Sequence, residues 1–437
     1  MKIAIIGGGF TGLVTAEQLS KDVRNEVYVF ESSSILGGLA SGFGQDNWDW
    51  NLEKTYHHIF SSDHDIINYL HGIGFEDFIF QKPQTTSLYF EDNKYQMYGV
   101  DSPLNLLRFP RLKTLEKIRA GLVLAMLKIS PFLKSIYESQ STAQLLSRTM
   151  GERASEQLFG QMLRKKFGKY AGNILASFFW ARIKKRTQTL GYIKGGFQKA
   201  INHVANKCRE NGATILCDST VEKIVKNDEG RFSIKIANID NHQNNMFDIV
   251  VLTIPSPTIA SIATGVLSEV EIGKLRKLKY LAATNLIVET NKPIFDSAYW
   301  VSLCTNEVPG LVFVQHTNYM DKSHYGNHHI LYIGNYCESD NKLMNMSKED
   351  MLSMYYPHLQ KISSNKFEII NTTLWRTKYA QPIFDKDFLQ NYPHHVTSVR
   401  NCYIANLDMT YPYDRGTNYA VKLGKDVAQL VSQTIYN

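Results

Sequence analysis

The sequence contains little that would place the chain outside the cell or across a membrane. Its five cysteines are scattered, odd in number and without a Cys-x-x-Cys pair, which is typical of free thiols in a reducing compartment. The most apolar stretch, residues 120–133, carries a lysine and a proline and is too short to cross a bilayer. Because a strand-like run follows Met1 at once, we expect no signal peptide. We therefore expect a cytoplasmic protein with no transmembrane segment, and peripheral membrane contact stays open.

Neither charge nor short motifs point to nucleic acid or to a metal. The chain has 48 basic and 41 acidic residues, and its net charge of +7 is modest for 437 residues. This excess fits an anionic ligand or a weak affinity for anionic lipid, and zinc-finger and RNA-binding signatures are missing. The histidine pairs at 57–58, 328–329 and 394–395 are tandem, so neighbouring side chains point apart and we expect no metal site. No nucleophile elbow, Walker loop or carboxylate pair occurs, which leaves the difficult chemistry to a cofactor.

Aromatic side chains, in contrast, are abundant. They make up 12% of the chain and include 24 tyrosines. Such side chains fill large pockets and leave a polar group inside them. The composition therefore fits either a sizeable ligand cavity or a tyrosine-rich core and surface. The length of 437 residues is too great for one simple core and predicts two or three domains.

The beginning of the chain has the order strand, glycine-rich loop, helix, strand and acid. A β-branched apolar run at 2–6 leads into Gly7-Gly8-Gly9-Phe10-Thr11-Gly12, and helical spacing covers 13–20. A second strand at 26–30 ends on Glu31. A glycine-rich loop alone is weak evidence, but the complete order is the fingerprint of a Rossmann-type dinucleotide-binding unit.

Each part of this fingerprint has a physical role. Gly7 permits the tight turn, Gly9 lets the backbone approach a pyrophosphate, and Gly12 lets the helix pack closely on the strand. The pyrophosphate would lie at the helix N-terminus, where N–H groups and the helix dipole favour negative charge. Glu31 is at the right distance to accept hydrogen bonds from a ribose hydroxyl. The predicted cofactor contacts in this unit are Gly7, Gly9, Phe10, Thr11, Gly12 and Glu31.

A second glycine pair follows in Gly37-Gly38-Leu39-Ala40-Ser41. It would bring backbone N–H groups close to an extended cofactor, with Ser41 donating to a phosphate, although alone it equally fits a flexible loop. The run from Gly7 through Glu31 to this pair resembles the flavin-containing amine oxidase and protoporphyrinogen oxidase superfamily. That resemblance implies non-covalent FAD beside Gly38, Leu39, Ala40 and Ser41. The family often has an arginine where this chain has Leu39, which argues against a true amine oxidase.

The resemblance also implies the fold, which is α/β. A Rossmann-type (GR2-like) FAD-binding domain would carry an inserted mixed sheet and a helical substrate domain. The predicted FAD-binding segments are 1–80, 191–275 and 395–437, and the substrate-binding sheet and helical cap are 81–190 and 276–394. Within the second group, residues 86–98 show the pattern of a hairpin that turns at Asp92-Asn93.

Later FAD contacts are implied by the same family pattern. The backbone at Val221 would meet the adenine, and Asp408 would lie near the ribityl and phosphate groups. The final helix, opened by Thr417, Asn418 and Tyr419, would point its N-terminus at the flavin pyrimidine. The family usually has a glycine before the acid, whereas this chain has Asn406-Leu407.

Candidate substrate residues come from three short segments. Tyr56-His57-His58-Ile59-Phe60 is similar to the segment of UDP-galactopyranose mutases that places a histidine beside the flavin, which makes His58 the catalytic candidate or a satisfied core histidine. Residues 375–382 resemble the family's stretch near the substrate, with Arg376 and Tyr379 as anion and hydroxyl contacts. Arg182 and Arg186 predict phosphate binding, since guanidinium groups match phosphate bidentately, or else a solvated helix end.

Three functions follow from these observations. The first is a redox enzyme, the second a mutase-like isomerase of a nucleotide sugar without net redox, and the third a flavin-binding protein without catalysis. The whole pattern resembles a bacterial group of FAD-dependent oxidoreductases associated with cell-surface polysaccharide pathways. We therefore expect a flavin-dependent oxidoreductase acting on a small sugar-containing or lipid-linked substrate, such as a nucleotide sugar or a lipid-linked sugar. The mutase is the alternative, although a full set of its sugar-binding arginines and tyrosines does not align.

Overall fold

Two large sheets organise the chain in the computed structural model, which describes residues 1–99, 101–237 and 246–436. The strands within these residues are, in chain order, β1 (Lys2–Ile6), β2 (Glu26–Phe30), β3 (Gly42–Phe43), β4 (Leu52–Glu53), β5 (Ile59–Phe60), β6 (Phe78–Gln81), β7 (Gln84–Glu91), β8 (Lys94–Tyr98), β9 (Leu190–Ile193), β10 (Thr214–Leu216), β11 (Val221–Lys226), β12 (Phe232–Ile236), β13 (Met246–Phe247), β14 (Ile249–Leu252), β15 (Tyr280–Thr290), β16 (Ala298–Leu303), β17 (Val312–Gln315), β18 (His329–Cys337), β19 (Ile369–Pro382) and β20 (Cys402–Ile404). The α-helices are α1 (Phe10–Leu19), α2 (His64–Gly72), α3 (Pro103–Arg108), α4 (Thr114–Ile129), α5 (Lys134–Tyr137), α6 (Thr142–Met150), α7 (Glu152–Ser155), α8 (Gln161–Phe167), α9 (Ala176–Lys185), α10 (Phe197–Glu210), α11 (Ser256–Ile262), α12 (Glu269–Lys277), α13 (Lys348–Ile362), α14 (Lys386–Asn391) and α15 (Thr417–Tyr436).

The first sheet is parallel, in the order β10-β2-β1-β14-β20. Its apolar residues alternate between two buried faces, as expected for parallel strands covered on both sides. Ile3 and Ile5 pack with α1, α10 and α15. Ala4 and Ile6 pack against the other layer, formed by β11, β12 and α11. Because the strands are parallel, their carboxyl ends meet at one edge, and this edge carries the glycine-rich loop.

The second sheet is mixed, in the order β19-β15-β18-β17-β16-β7-β8, and β16 runs parallel to β7. One face, with Ile287 and Tyr332, shares a core with the parallel sheet's helices. The opposite face, with Leu286 and Phe313, is covered by α13. The sheet thus has one side towards the dinucleotide-binding layer. The predicted α/β class with an inserted mixed sheet is confirmed.

A helical layer, α3 to α9, lies beside β7 and buries Phe179 and Trp180 in its own core. Two of its helices, α3 and α6, begin at a capping serine. At α6, Ser141 Oγ accepts from the Gln144 N–H (3.3 Å), and the Gln144 side chain accepts from the Ser141 N–H (3.0 Å). No helix of the described residues is long and apolar enough to span a bilayer.

Candidate active site

The glycine-rich loop joins β1 to α1 at the carboxyl edge of the parallel sheet. Gly7 has φ +112°, a conformation that glycine adopts without strain. A Cβ on Gly12 would lie 1.9 Å from the Gly7 carbonyl oxygen, so only glycine lets the helix start so close to the strand. Gly9 precedes α1 and provides no side-chain cap. The first N–H groups of α1, including those of Phe10 and Thr11, are therefore directed to this edge for an anion.

The second glycine pair packs directly on the first loop. The Gly37 N–H donates to the Gly8 carbonyl (2.9 Å), and residues 38–40 form one 3-10 turn. Thr55 Oγ1 donates to the Leu39 carbonyl (3.0 Å), and Ser41 is buried. The segment is therefore held in place by hydrogen bonds, which a flexible loop would not be.

Glu31 lies at the end of β2, beside both glycine segments. Its carboxylate accepts the Gly8 N–H (2.7 Å) and the Ser33 N–H (2.8 Å). Its carbonyl accepts the Ser219 N–H (2.8 Å), which brings the start of β11 at Val221 to the same end of the sheet. The Ser32 hydroxyl also donates to the carboxylate (3.2 Å). A carboxylate has about four acceptor positions, so one remains for a ribose hydroxyl.

Asp408 follows β20 in a 3-10 turn and is fully buried. Its Oδ2 accepts from Ser256 Oγ (2.5 Å) and from the Tyr280 hydroxyl, whereas Oδ1 is buried without a partner in the described part of the chain. Burial raises the pKa of this carboxyl to about 6, against the hydrogen bonds from Ser256 and Tyr280. A buried acceptor without a donor is rare, and a ligand hydroxyl would satisfy it. Asn406 holds the turn because its Oδ1 accepts the Asp408 N–H (3.2 Å).

The start of α15 lies beside α1 and α2. A Cβ on Gly424 would meet the Thr11 carbonyl at 2.7 Å, so the missing side chain lets α15 approach α1. Thr417 is buried. Asn418 Oδ1 accepts the Ile66 N–H at the start of α2 (3.1 Å), so its side chain joins two helices. The Tyr419 ring stacks on Tyr413 at 4.8 Å.

His58 directly precedes β5, and the aromatic rings of Phe60, Tyr299 and Trp300 surround it; we call this environment the histidine pocket. Its Nδ1 is 3.3 Å from the Tyr299 hydroxyl, and its ring meets Trp300 edge-on. Burial, together with the charges of Arg186 and Arg182, lowers the pKa of His58 to about 3, so the imidazole is neutral. The side chain is half-buried and keeps contact with solvent, which a fully enclosed core histidine would not.

A cationic cluster adjoins this pocket. It consists of Lys166 on α8, Arg182 on α9 and Arg415 before α15, arranged around Asp414. Asp414 Oδ2 accepts from Lys166 Nζ (2.8 Å) and Arg182 Nη1 (3.1 Å). Burial alone would raise the pKa of Asp414, but the cations hold it at about 2. Three cations therefore face one carboxylate, and the excess positive charge is largely enclosed by protein.

Two tyrosines connect the cationic cluster to the histidine pocket. The Arg415 guanidinium lies over the Tyr336 ring (5.1 Å) and donates to its hydroxyl. Burial and the neighbouring Tyr336 raise the pKa of Tyr56, whose ring meets Trp300 edge-on at 5.2 Å. A Cβ on Gly334 would lie 2.7 Å from the Tyr56 ring, so this glycine makes room for the tyrosine.

Arg186 is exposed to solvent, yet burial is the main cause that lowers its pKa to about 10, followed by the charge of Arg182. Arg182 and Arg186 both lie close enough to His58 for their charges to lower its pKa.

The two candidates on β19 are placed apart from this pocket. Arg376 is exposed and donates to the Met346 carbonyl, on the other side of the mixed sheet from Trp375 and Phe43. Tyr379 packs edge-on against Tyr280 at 5.4 Å, near Asp408. The structure therefore brings Tyr379 towards the cofactor edge but does not bring Arg376 to His58.

Sequence reasoning missed Glu53, Lys166, Asp414 and Arg415. Glu53 on β4 is buried and accepts the Tyr192 hydroxyl and the Phe197 N–H, both at 2.8 Å. Its signal was weak because a lone acid in a loop-like stretch has no spacing partner. Asp414-Arg415 could have been found, since a charged pair directly precedes the predicted final helix. No group of three or more His, Cys, Asp or Glu side chains in the described ranges is placed to hold a metal ion.

These features define a class of protein. Four features fit an extended dinucleotide: the space that a Cβ would fill, the uncapped helix, the acid after β2 and the unsatisfied Asp408 oxygen. The mixed sheet packs against the same layer. The chain belongs to the flavin-containing amine oxidoreductase family, whose model matches residues 10–432. It is a flavin-dependent oxidoreductase with FAD as its cofactor.

Solved structures show the same fold at low sequence identity. An oxidoreductase from Methanosarcina mazei has 15% identity and a TM-score of 0.74, over 98% of this chain and 100% of its own. Putrescine oxidase bound to putrescine has 16% identity and a TM-score of 0.74, over 99% of both chains. Reduced UDP-galactopyranose mutase has 14% identity and a TM-score of 0.69, over 99% of this chain and 94% of its own. Among curated proteins, no sequence matches this chain significantly.

Proposed function

We propose that this oxidoreductase acts on an anionic small molecule, a sugar-containing or lipid-linked substrate that carries phosphate, in cell-surface polysaccharide biosynthesis. The observation that carries the proposal is the cationic cluster, in which three cations face one carboxylate beside the aromatic pocket of His58. An enclosed excess of positive charge is costly unless an anion joins it. A substrate phosphate would supply that charge. The polysaccharide pathway rests on the family resemblance alone.

Within the site, the bound FAD would supply hydride chemistry, and the chain's own residues would position the substrate. Arg182 and Arg415 would bind the anionic end, because guanidinium groups pair with phosphate bidentately. Tyr56 and Trp300 would pack against the substrate's ring and exclude water. His58, neutral because of its low pKa, would form a hydrogen bond to a substrate hydroxyl.

The test is anaerobic mixing of the holoenzyme with nucleotide sugars, sugar phosphates, neutral sugars and amines, with the visible flavin band as readout. We expect bleaching by a phosphate-bearing compound. For that compound, Arg182→Met should raise KM by about tenfold or more, as expected for a lost charge-assisted contact. Arg153→Met, which removes an exposed arginine paired with Glu116 on the same helical layer, should leave KM unchanged. Bleaching by neutral amines alone would overturn the proposal.

One observation favours a second candidate, a mutase-like isomerase. His58, the residue that the resemblance to the mutases makes a candidate, lies among aromatic side chains beside Tyr299, and the chain shares the fold of UDP-galactopyranose mutase. The same preparation decides between the two. If no compound bleaches the flavin but the dithionite-reduced protein interconverts a nucleotide sugar with its ring isomer, the isomerase is correct.

A further inference from the structure

The helical layer exposes an apolar face that its own chain does not cover. On α4, Leu115, Ile118, Leu122, Met126 and Ile129 are exposed, at 81%, 49%, 68%, 47% and 79%. Their spacing of three and four residues places them along one side of the helix. α3 adds Leu104 and Leu107, and the α5 region adds Leu133 and Ile136, all above 40%. Single exposed apolar residues are ordinary, but a continuous set of this size marks an interaction surface.

The charge of the same segment is strongly positive. Residues 103–136 contain seven basic residues and a single acid, Glu116, although the whole chain carries a net charge of only +7. Glu116 is already paired with Arg153 at 2.7 Å. Outside α4, Arg111 pairs with Glu91 and Lys134 lies 3.9 Å from Glu138. On α4 itself the cations bind carbonyl oxygens: Lys117 that of Leu107 (2.8 Å), Arg119 that of Thr149 (2.6 Å) and Lys128 that of Arg186 (2.6 Å). A carbonyl positions a cation without neutralising it.

We propose that this face, formed by α3, α4 and α5, docks on an anionic lipid bilayer. The apolar side of α4 would enter the boundary between headgroups and acyl chains, with Arg108, Lys113 and Lys134 at the lipid phosphates. A second copy of the chain fits less well, because a twofold contact would bring the same basic residues against each other. No helix in the described parts spans a bilayer, so the contact is peripheral. This inference does not rest on the reaction at the flavin.

The test is flotation of the FAD-loaded protein with vesicles of phosphatidylcholine alone or mixed equally with phosphatidylglycerol. We expect binding to the mixed vesicles, at least about tenfold weaker binding to phosphatidylcholine, and release by high salt. The triple variant Leu115→Glu, Leu122→Glu, Ile129→Glu should not float. Its matched control is Val23→Glu, Val270→Glu, Val396→Glu, which adds the same charge at sites 93%, 70% and 62% exposed elsewhere. The control should float like the unaltered protein.

A second variant, Lys113→Ser with Lys134→Ser, keeps the test decisive if the triple variant loses its flavin. It leaves the apolar side intact and should weaken flotation on the mixed vesicles several-fold. Equal behaviour of both triple variants would overturn the proposal, as would failure of the unaltered protein to float. Light scattering tests the remaining alternative. If the unaltered protein is a dimer that does not bind lipid, and the triple variant is a monomer, the face is an interface between two copies of the chain.

Discussion

At the scale of single residues, Glu53 ties β4 to the start of α10. Its carboxyl is 1% exposed and accepts from Tyr192 and from the Phe197 N–H. Burial raises the pKa of Glu53 to about 7, against those hydrogen bonds. Since the folded pKa lies above the unfolded value, the folded state binds the proton more tightly. The stability that this group contributes is therefore present below the unfolded pKa and is lost as pH rises towards 7.

We predict that Glu53→Gln removes this pH dependence, because the amide can keep both hydrogen bonds without a charge. Relative to the variant, the unaltered protein should lose about 3 kcal/mol of unfolding free energy between pH 4.5 and pH 7.5, the equivalent of the difference between the two pKa values. Denaturant unfolding of both proteins across this range measures it. The control is Glu222→Gln, which removes the acid of an exposed ion pair with Lys235. Its unfolding free energy should change with pH as that of the unaltered protein does. If the unfolding free energies of Glu53→Gln and of the unaltered protein change with pH in parallel, Glu53 does not titrate as described.

Single residues also show how much of the candidate site could be predicted from the sequence. Gly7, Gly12 and Glu31 could be assigned because each has a role at a set spacing from its strand. Arg376 could not be placed, because the side of the mixed sheet that it faces depends on the register of β19 with β15. A bulge shifts that register between Leu281 and Ala283. A one-residue shift moves a side chain to the other face of a sheet.

At the scale of elements, the sequence predicts those strands, helices and turns that form through contacts between residues close together in the chain. The order β1, loop, α1 and β2 is present as predicted. The hairpin of β7 and β8 turns at Asp92 and Asn93, whose φ values of +47° and +58° suit these residue types. The exposed apolar side of α4 was not predicted, since its apolar spacing also fits a helix buried on that side. Only the packing of α4 on its neighbours distinguishes the two.

The close contact between β1 and α1 supports a prediction at this scale. Alanine at Gly12 would place a Cβ 1.9 Å from a backbone oxygen of Gly7, so the loop must move away from the cofactor edge. We expect Gly12→Ala to raise the Kd for FAD by about tenfold or more, since a loss of about 1.4 kcal/mol of binding free energy is a tenfold change in Kd. Fluorescence titration of the apoprotein measures this. Gly72→Ala, where a Cβ would meet nothing within 4 Å, should bind FAD normally. An unchanged Kd for Gly12→Ala would contradict the proposed place of the pyrophosphate.

At the scale of the whole molecule, the site depends on contacts between segments far apart in the sequence. The cationic cluster takes Lys166, Arg182 and Asp414 from two helices and a loop, and it meets Tyr336 on β18. No periodicity or spacing connects these positions, and Arg182 was a candidate only because a guanidinium group matches phosphate. Local pattern therefore predicts the cofactor half of the site better than the substrate half.

The same long-range assembly predicts how the chain responds to FAD. The proposed contacts come from residues 7–41, from Val221 and from 408–419, which hydrogen bonds hold at one edge of the parallel sheet. A ligand that binds only the folded state stabilises every element that forms its site. Hydrogen exchange of the apoprotein with and without FAD should therefore show protection in all three segments together, and no change in the exposed α4. Protection confined to 7–41 would mean that Asp408 and the start of α15 do not contact the cofactor, and the buried Asp408 oxygen would then need another donor.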